Sequence, residues 1–370
     1  MNALTMSIAR RNMLAGKART AFSVAGVAVA TLLLCFVVGL YRGWNDALVT
    51  YIRQTPADLW VLGDGADSFF TPSLVFNTTV SELQQTKGVK SVDTLIGRPL
   101  RLRKGVEGWD SYVLGYNPEG IGGPVAIKEG RGKPEVGEIV LDDILARTSG
   151  LGVGDEVQAG LRRLKVVGIS TGGNLVLAQL SFVHIEEARI LIGVDAVVNF
   201  ALVRTEPGRT DEILQKVNTS FPGVQGFKAD TFASNSQRVL RTSILPILLI
   251  IVLMALVVGT IIIGLTVYTA VIEKEREFGI LKAIGVPAPG LMRVVFEQSL
   301  VCGAAGYVLG MLLTLLTAWL AQLAIPQAVT LFRWQDMAAI GLAAAVMSGL
   351  ASFIPIQRIL RVDTLTIFKA

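Results

Sequence analysis

The chain has 370 residues, of which 52% are hydrophobic and only 17% charged, with a net charge of +5. A soluble globular protein carries about 25% charged residues, so a single water-soluble body of this length is excluded. Four stretches contain no Asp, Glu, Lys or Arg: Thr20–Tyr41, Thr242–Ile272, Gln298–Phe332 and Met337–Gln357. With one histidine (His184) and two cysteines (Cys35 and Cys302, both inside charge-free stretches), the charged region lacks the residues for a disulfide, a thiol metal site or multi-histidine chemistry.

In chain order, residues 1–20 carry Arg10, Arg11, Lys17 and Arg19 and no acid, and are expected to form a cytoplasmic amphipathic lead-in. An α-helix rises about 1.5 Å per residue, so about 20 apolar residues cross the hydrocarbon core of a bilayer. Residues 21–41 fit one crossing. Their apolar run is longer than the roughly 7–15 residues of a signal-peptide core, so an uncleaved anchor is expected.

Residues 42–243 hold 22 basic and 23 acidic side chains and no basic run interleaved with aromatics, which argues against nucleic acid as a partner. Here short β-rich runs alternate with turn signals, the pattern of a mixed α/β domain. Strands are predicted over 58–62, 137–141, 164–169, 180–184 and 196–204, and helices over 80–86, 142–148 and 210–218. Gly150, Gly152 and Gly154 lack nucleotide-loop spacing and read as a tight turn between helix and strand. Arg98, Arg101, Arg103 and Lys104 read as the solvated face of a strand, and His184 as a structural histidine. Tyr41 and Trp44 are expected as interfacial anchors, and Leu59 and Trp60 as core. Phe69 and Phe70 follow a polar stretch, Gly63-Asp64-Gly65-Ala66-Asp67-Ser68, and are expected to form a mobile apolar lip that contacts substrate.

Residues 244–272 form a second crossing longer than a bilayer requires, with a stalk. Residues 273–297 are a charged segment, 298–325 a third crossing that stops at Pro326, 337–355 a fourth that ends at Pro355, and 356–370 a tail. Basic residues crowd the leader, the segment after the second crossing (Lys274, Arg276, Lys282, Arg293) and the tail, whereas the connection after the third has only Arg333. By the positive-inside rule both termini and the 273–297 segment are cytoplasmic, and residues 42–243 lie outside. The fold class expected is an α-helical membrane protein with four transmembrane helices and a large extracytoplasmic mixed α/β domain between the first two. Small-xxx-small pairs, Gly39/Gly43 and Gly306/Gly310, would allow close helix packing and give weak support to a dimer.

The stretch Glu273-Lys274-Glu275-Arg276-Glu277-Phe278-Gly279-Ile280-Leu281-Lys282-Ala283-Ile284-Gly285 resembles the hallmark of FtsX/MacB-type permeases of ABC transporters. The resemblance extends to Ala9-Arg10-Arg11-Asn12, to Pro355-Ile356-Gln357-Arg358, and outside to Gly137-Glu138-Ile139-Val140 and Leu151-Gly152-Val153-Gly154-Asp155, which look like a MacB-like core domain. It implies a dimeric permease of the bacterial inner membrane that docks a separate cytoplasmic ABC ATPase through Glu275, Arg276, Glu277, Phe278, Gly279, Ile280, Leu281, Lys282 and Gly285. A periplasmic adaptor protein is a further partner it allows. No Walker A sequence is present, so the chain is expected to be non-catalytic and to hold no cofactor, with ATP and Mg bound by the partner ATPase. The function implied is export or extraction of an apolar or amphipathic substrate by mechanotransmission. The alternative is an FtsX-like regulator that relays ATPase movement to an outside partner such as a cell-wall hydrolase. The charge-free crossings disfavour an ion-coupled carrier.

Overall fold

The computed structural model describes residues 17–176, 178–283, 286–325 and 327–360. They divide into two compact units. One comprises 17–42, 245–323 and 330–360; the other comprises 43–244 with 324–329.

The first unit is built from four long helices: α1 (Lys17–Gln54), whose residues up to Arg42 belong here, a second over Leu245–Glu273, a third over Ala288–Ala324 and a fourth over Trp334–Leu360. All four are long and apolar enough to cross a membrane. In hydrocarbon no water can satisfy a peptide group, so a spanning segment must close its hydrogen bonds internally as a helix does. The hydroxyls within the helices follow the same logic and return to their own backbone. Thr260 donates to the Leu256 carbonyl at 2.7 Å, Thr314 to Gly310 at 2.7 Å and Ser348 to Ala344 at 2.8 Å. The fourth helix does not stop at Pro355 as the sequence suggested but runs through it to Leu360. A proline is tolerated inside a spanning helix because neighbouring groups re-satisfy the carbonyl it frees. The lead-in up to residue 16 and the tail from residue 361 lie outside the described residues.

Small residues bring these helices together. A side chain at Gly310 would sit 2.6 Å from the Ala28 carbonyl oxygen and from Thr31 Cβ, and one at Gly306 would collide with Val27. Gly259 lies against Ala30 and Met347, and Gly39 under the Phe332 ring. The Gly306/Gly310 pair is therefore used inside one chain. Polar ties join the unit where the fourth helix starts. Arg42 makes a bidentate pair with Asp336 (Nε–Oδ2 3.0 Å, a terminal nitrogen to Oδ1 2.9 Å), the Leu331 amide donates to the Gly39 carbonyl at 2.9 Å, and the Tyr307 hydroxyl donates to the Met337 carbonyl at 3.0 Å.

The second unit is a mixed α/β domain. Its strands are β1 (Leu59–Gly63), β2 (Val75–Phe76), β3 (Val89–Lys104), β4 (Glu107–Tyr116), β5 (Ala126–Gly130), β6 (Glu138–Asp142), β7 (Glu156–Ala159), β8 (Arg162–Thr171), β9 (Gln179–His184), β10 (Val197–Val198), β11 (Phe200–Thr205) and β12 (Val224–Lys228). Ten of them form one sheet in the order β12-β1-β11-β3-β4-β9-β6-β8-β5, with β7 pairing β3 and β8, while β2 and β10 pair separately. The β4–β9 and β6–β8 pairs are parallel and the others antiparallel. The sixteen-residue β3 joins the two halves: its start pairs with β11 and its end with β4.

At β1 both faces of the sheet are covered, which is why Leu-Trp-Val-Leu-Gly is buried throughout. Successive side chains on a strand point to opposite faces. Leu59 and Val61 enter a core with Leu83, Ile213 and Val217, from helices α2 (Asn77–Gln84) and α5 (Thr210–Ser220). Trp60 and Leu62 enter an aromatic core with Tyr51, Phe69, Phe182, Phe200 and Phe232. A third core packs Ile96, Leu102, Val113 and Ile139 against Leu145 of α3 (Asp143–Ser149) and Ala188 of α4 (Ile185–Ile192). Caps fix these two short helices. Asp142 Oδ1 accepts from the Ile144 amide at 3.0 Å, and Gly150 ends α3 in the left-handed region with φ +68°. His184 Nδ1 accepts from the Glu186 amide at 3.2 Å at the start of α4, a structural role for the one histidine. Arg98, Arg101, Arg103 and Lys104 are exposed on β3.

Candidate functional site

Two places carry the functional expectations: the charged segment that follows the second long helix, and the region around Phe69 and Phe70. The chain leaves the second long helix, named α7 here with α6 (Ala229–Val239) before it, at Glu273, and after Lys274 forms a short helix α8 (Glu275–Ala283). Glu275 and Glu277 lie in its first turn and Lys282 in its last, so the charges complement the helix dipole. Lys274 Nζ lies 3.4 Å from Glu277 Oε2.

Residues three or four apart share a helix face, and α8 has two. Arg276, Glu277 and Ile280 are exposed, Ile280 by 46%; Gly279 is buried, with half-buried Glu275 and Lys282 on its side. The exposed face thus sets an aliphatic side chain beside a cation and an anion, while Gly279 on the other face is buried. The side chains of Phe278 and Leu281 and the whole of Ile284 and Gly285 lie outside the described residues. After them Val286 packs against a membrane-unit cluster with Val271, Leu291 and Val295, and the third long helix, α9, begins.

Phe69 is not part of a lip. It is 2% exposed, stacks on Phe200 with ring centroids 5.0 Å apart, and meets Tyr51 edge-on at 6.0 Å. Its amide donates to Ser236 Oγ at 3.1 Å. Phe70 is half-buried against the same core. The stretch before them is also packed: Ala66 and Ser68 are buried, and Ser68 Oγ lies 2.7 Å from Thr71 Oγ1. Leu59 and Trp60 are fully buried, and Trp44 packs partly buried on the aromatic core.

Two carboxylates of the outer unit are buried with different consequences. Glu187 accepts two hydrogen bonds from Arg162 (2.8 and 2.9 Å) and one from the Gly137 amide (2.8 Å), which holds its carboxyl below the usual range. Asp142 has only the Ile144 and Gly173 amides, at 3.0 and 3.1 Å, and burial pushes it up to about 7. Neither faces a catalytic partner, and among the described residues no three His, Cys, Asp or Glu side chains converge to hold a metal ion.

Sequence reasoning missed the Arg42–Asp336 pair. Its signal was present: these are the charges that bound the first and fourth charge-free stretches on one side.

Residues 20–219 match the family model of the MacB-like periplasmic core domain, and residues 249–364 that of the FtsX-like permease C-terminal region. An uncharacterised ABC transporter permease of Mycobacterium tuberculosis (strain H37Rv) is 23% identical over 351 residues, which is 94% of each chain. The macrolide export ATP-binding/permease protein MacB of Salmonella typhimurium is 24% identical over 391 residues, covering 97% of this chain and 59% of that one. Among solved structures, the periplasmic region of MacB from Actinobacillus actinomycetemcomitans aligns with 52% of this chain and 96% of its own, at 13% identity and a TM-score of 0.38.

Proposed function

The chain belongs to the FtsX/MacB family of ABC transporter permeases, and from that premise we propose that it is the membrane subunit of an exporter powered by a separate ATPase. The Salmonella relative is named as an ATP-binding/permease protein, and this chain matches 59% of its length. The 370 residues contain no Walker A sequence. ATP and Mg would be held by the partner chain, and this chain would contribute no cofactor site.

The observation that carries the reading is the exposed face of α8, Arg276, Glu277 and Ile280, at the end of a long apolar helix. An aliphatic anchor ringed by charges suits a protein partner, where a few well-packed side chains supply most of the binding energy. ATP-driven closure of two docked ATPases would be passed through the long helices to the outer unit, and an apolar or amphipathic cargo would be displaced there. In this reading two permease copies work together, both termini and α8 face the cytoplasm, the outer unit lies beyond the membrane, and a periplasmic adaptor extends the path.

Co-purification of the ATPase and vanadate-sensitive ATP turnover test the coupling. Glu277→Lys and Ile280→Asp are each expected to reduce association at least about tenfold, or ~1.4 kcal/mol, with the permease still inserted in the membrane. Unchanged association and turnover in both variants would remove α8 as the docking element.

A further inference from the structure

A cavity of about 350 Å³ lies in the second unit where α1 ends, walled by Gln54, Thr55 and Pro56, by the loop from β4 to β5, and by Ile127, Gly132 and Lys133. Small-molecule sites have volumes of roughly 300–1,000 Å³. The docking face on α8 makes no use of this one.

Hydrogen bonds fix its walls. Tyr51 donates its hydroxyl to the Gly122 carbonyl, Tyr116 donates to the Gly132 carbonyl at 2.6 Å, and Asp93 accepts from the Ile121 amide. Gly123 lies so close to the Tyr116 ring that a side chain there would collide with it, and Gly122 takes φ +98°, a left-handed conformation that favours glycine. The cavity is preformed, so a ligand does not have to order it.

The donors left over decide what it can hold. The hydroxyl hydrogens of Thr55 and Tyr116 are spent on the Tyr51 and Gly132 carbonyls. Among the described residues, the side-chain amide of Gln54 and the main-chain amides of Gly122 and Gly123 meet no acceptor. Gly122 is buried, and a buried N–H without an acceptor is rare in a folded chain. Lys133 supplies the one charge on the wall. Glu119 Oε1, at 3.1 Å, takes one of its three N–H donors and leaves two. Tyr116 places this cation beside the glycine amides: its hydroxyl is 3.0 Å from where a Gly123 side chain would begin and bonds Gly132, which Lys133 follows. No carboxylate lines the cavity among the described residues.

We propose that this cavity binds a small apolar carboxylate, the anion on Lys133, Gln54 and the Gly122–Gly123 amides, the apolar body against Ile121, Val125 and Ile127. One cation already shared with Glu119 suits a single negative charge better than a phosphate dianion. A short fatty acid and the C-terminus of an apolar peptide share this chemistry. The inference makes no use of ATPase coupling, and its test contains neither ATPase nor nucleotide, so each can fail alone.

The test uses the full chain in nanodiscs of zwitterionic lipid, with empty nanodiscs as the blank and binding read by ligand-observed NMR. The probes are hexanoate and N-acetyl-Leu-Leu, each beside its neutral amide. At least one acid is expected to bind saturably and about tenfold more tightly than its amide, and the tighter acid identifies the source. Lys133→Met is expected to weaken that acid about fivefold and leave the amide unchanged. Ile127→Trp fills the cavity from a strand position that is 41% exposed, and is expected to remove binding of acid and amide alike. Melting temperatures should stay unchanged in both variants, since both side chains reach the surface. Equal binding of acid and amide, no saturable binding by either acid, or binding that survives Ile127→Trp would each overturn the proposal.

Discussion

Phe69 and Asp142 show how far a residue's role depends on what surrounds it. Phe69 follows a polar, glycine-containing stretch, yet it fills the centre of the aromatic core beside Tyr51 and Phe200. Truncation there leaves a cavity that rigid neighbours cannot close. Phe69→Ala should therefore cost about 3–5 kcal/mol, seen as a clear drop in melting temperature, whereas Phe76→Ala should leave it almost unchanged. Asp142 gives a pH prediction. Its folded pKa, about 7, is above its ordinary value of 3.8, so the native state binds the proton more tightly. Stability then falls as pH rises from about 4 to about 7 and levels off above, while Glu187, shifted the other way, loses its contribution only as pH falls below the ordinary carboxylate range. The neighbours of Asp142 are Asp143, which raises its pKa, and Arg147, which lowers it. Asp142→Asn should flatten the slope between about pH 4 and about pH 7 in thermal melts; an unchanged slope would assign it to other groups.

Among the elements, the glycine faces of the membrane helices are the most informative. Gly306 and Gly310 have the spacing of a dimerisation motif, but α1 of the same chain occupies that face through Val27, Ala28 and Thr31. A leucine at 310 would press on backbone and on a β-branched side chain, neither of which can move aside cheaply. Gly310→Leu should accordingly lower the melting temperature of the detergent-solubilised protein by several degrees and leave any self-association of the surviving folded fraction unchanged. Loss of association with no loss of stability would place this face between two copies instead. The element α8 divides similarly by face: three of its charged and apolar residues are exposed, while Gly279 turns inward.

For the whole molecule, the orientation argued from basic loops is open to direct measurement. With Cys35 and Cys302 replaced, cysteines at Ser149 or Lys216 should react with an impermeant maleimide in intact spheroplasts, and a cysteine at Lys274 only after lysis. The reverse labelling would invert the assignment and move α8 away from any cytoplasmic ATPase.

The amino-acid sequence determined by itself which segments cross the membrane, because excluding charge from about 20 consecutive residues is a local property set by desolvation. It also determined the core strands near Leu59, Val140 and Phe182, the glycine turn after α3 and the family motif at Glu275 to Lys282, all written in short runs of adjacent residues. β5 was not legible, since its five residues are all exposed and show no apolar alternation. Only the tertiary structure decided that Phe69 is core while Leu74 and Phe76 are surface, that Gly306 and Gly310 face their own chain, and that Arg42 meets Asp336. Each of these depends on a partner far along the chain, and burial is set by what arrives from elsewhere, which a local pattern does not record.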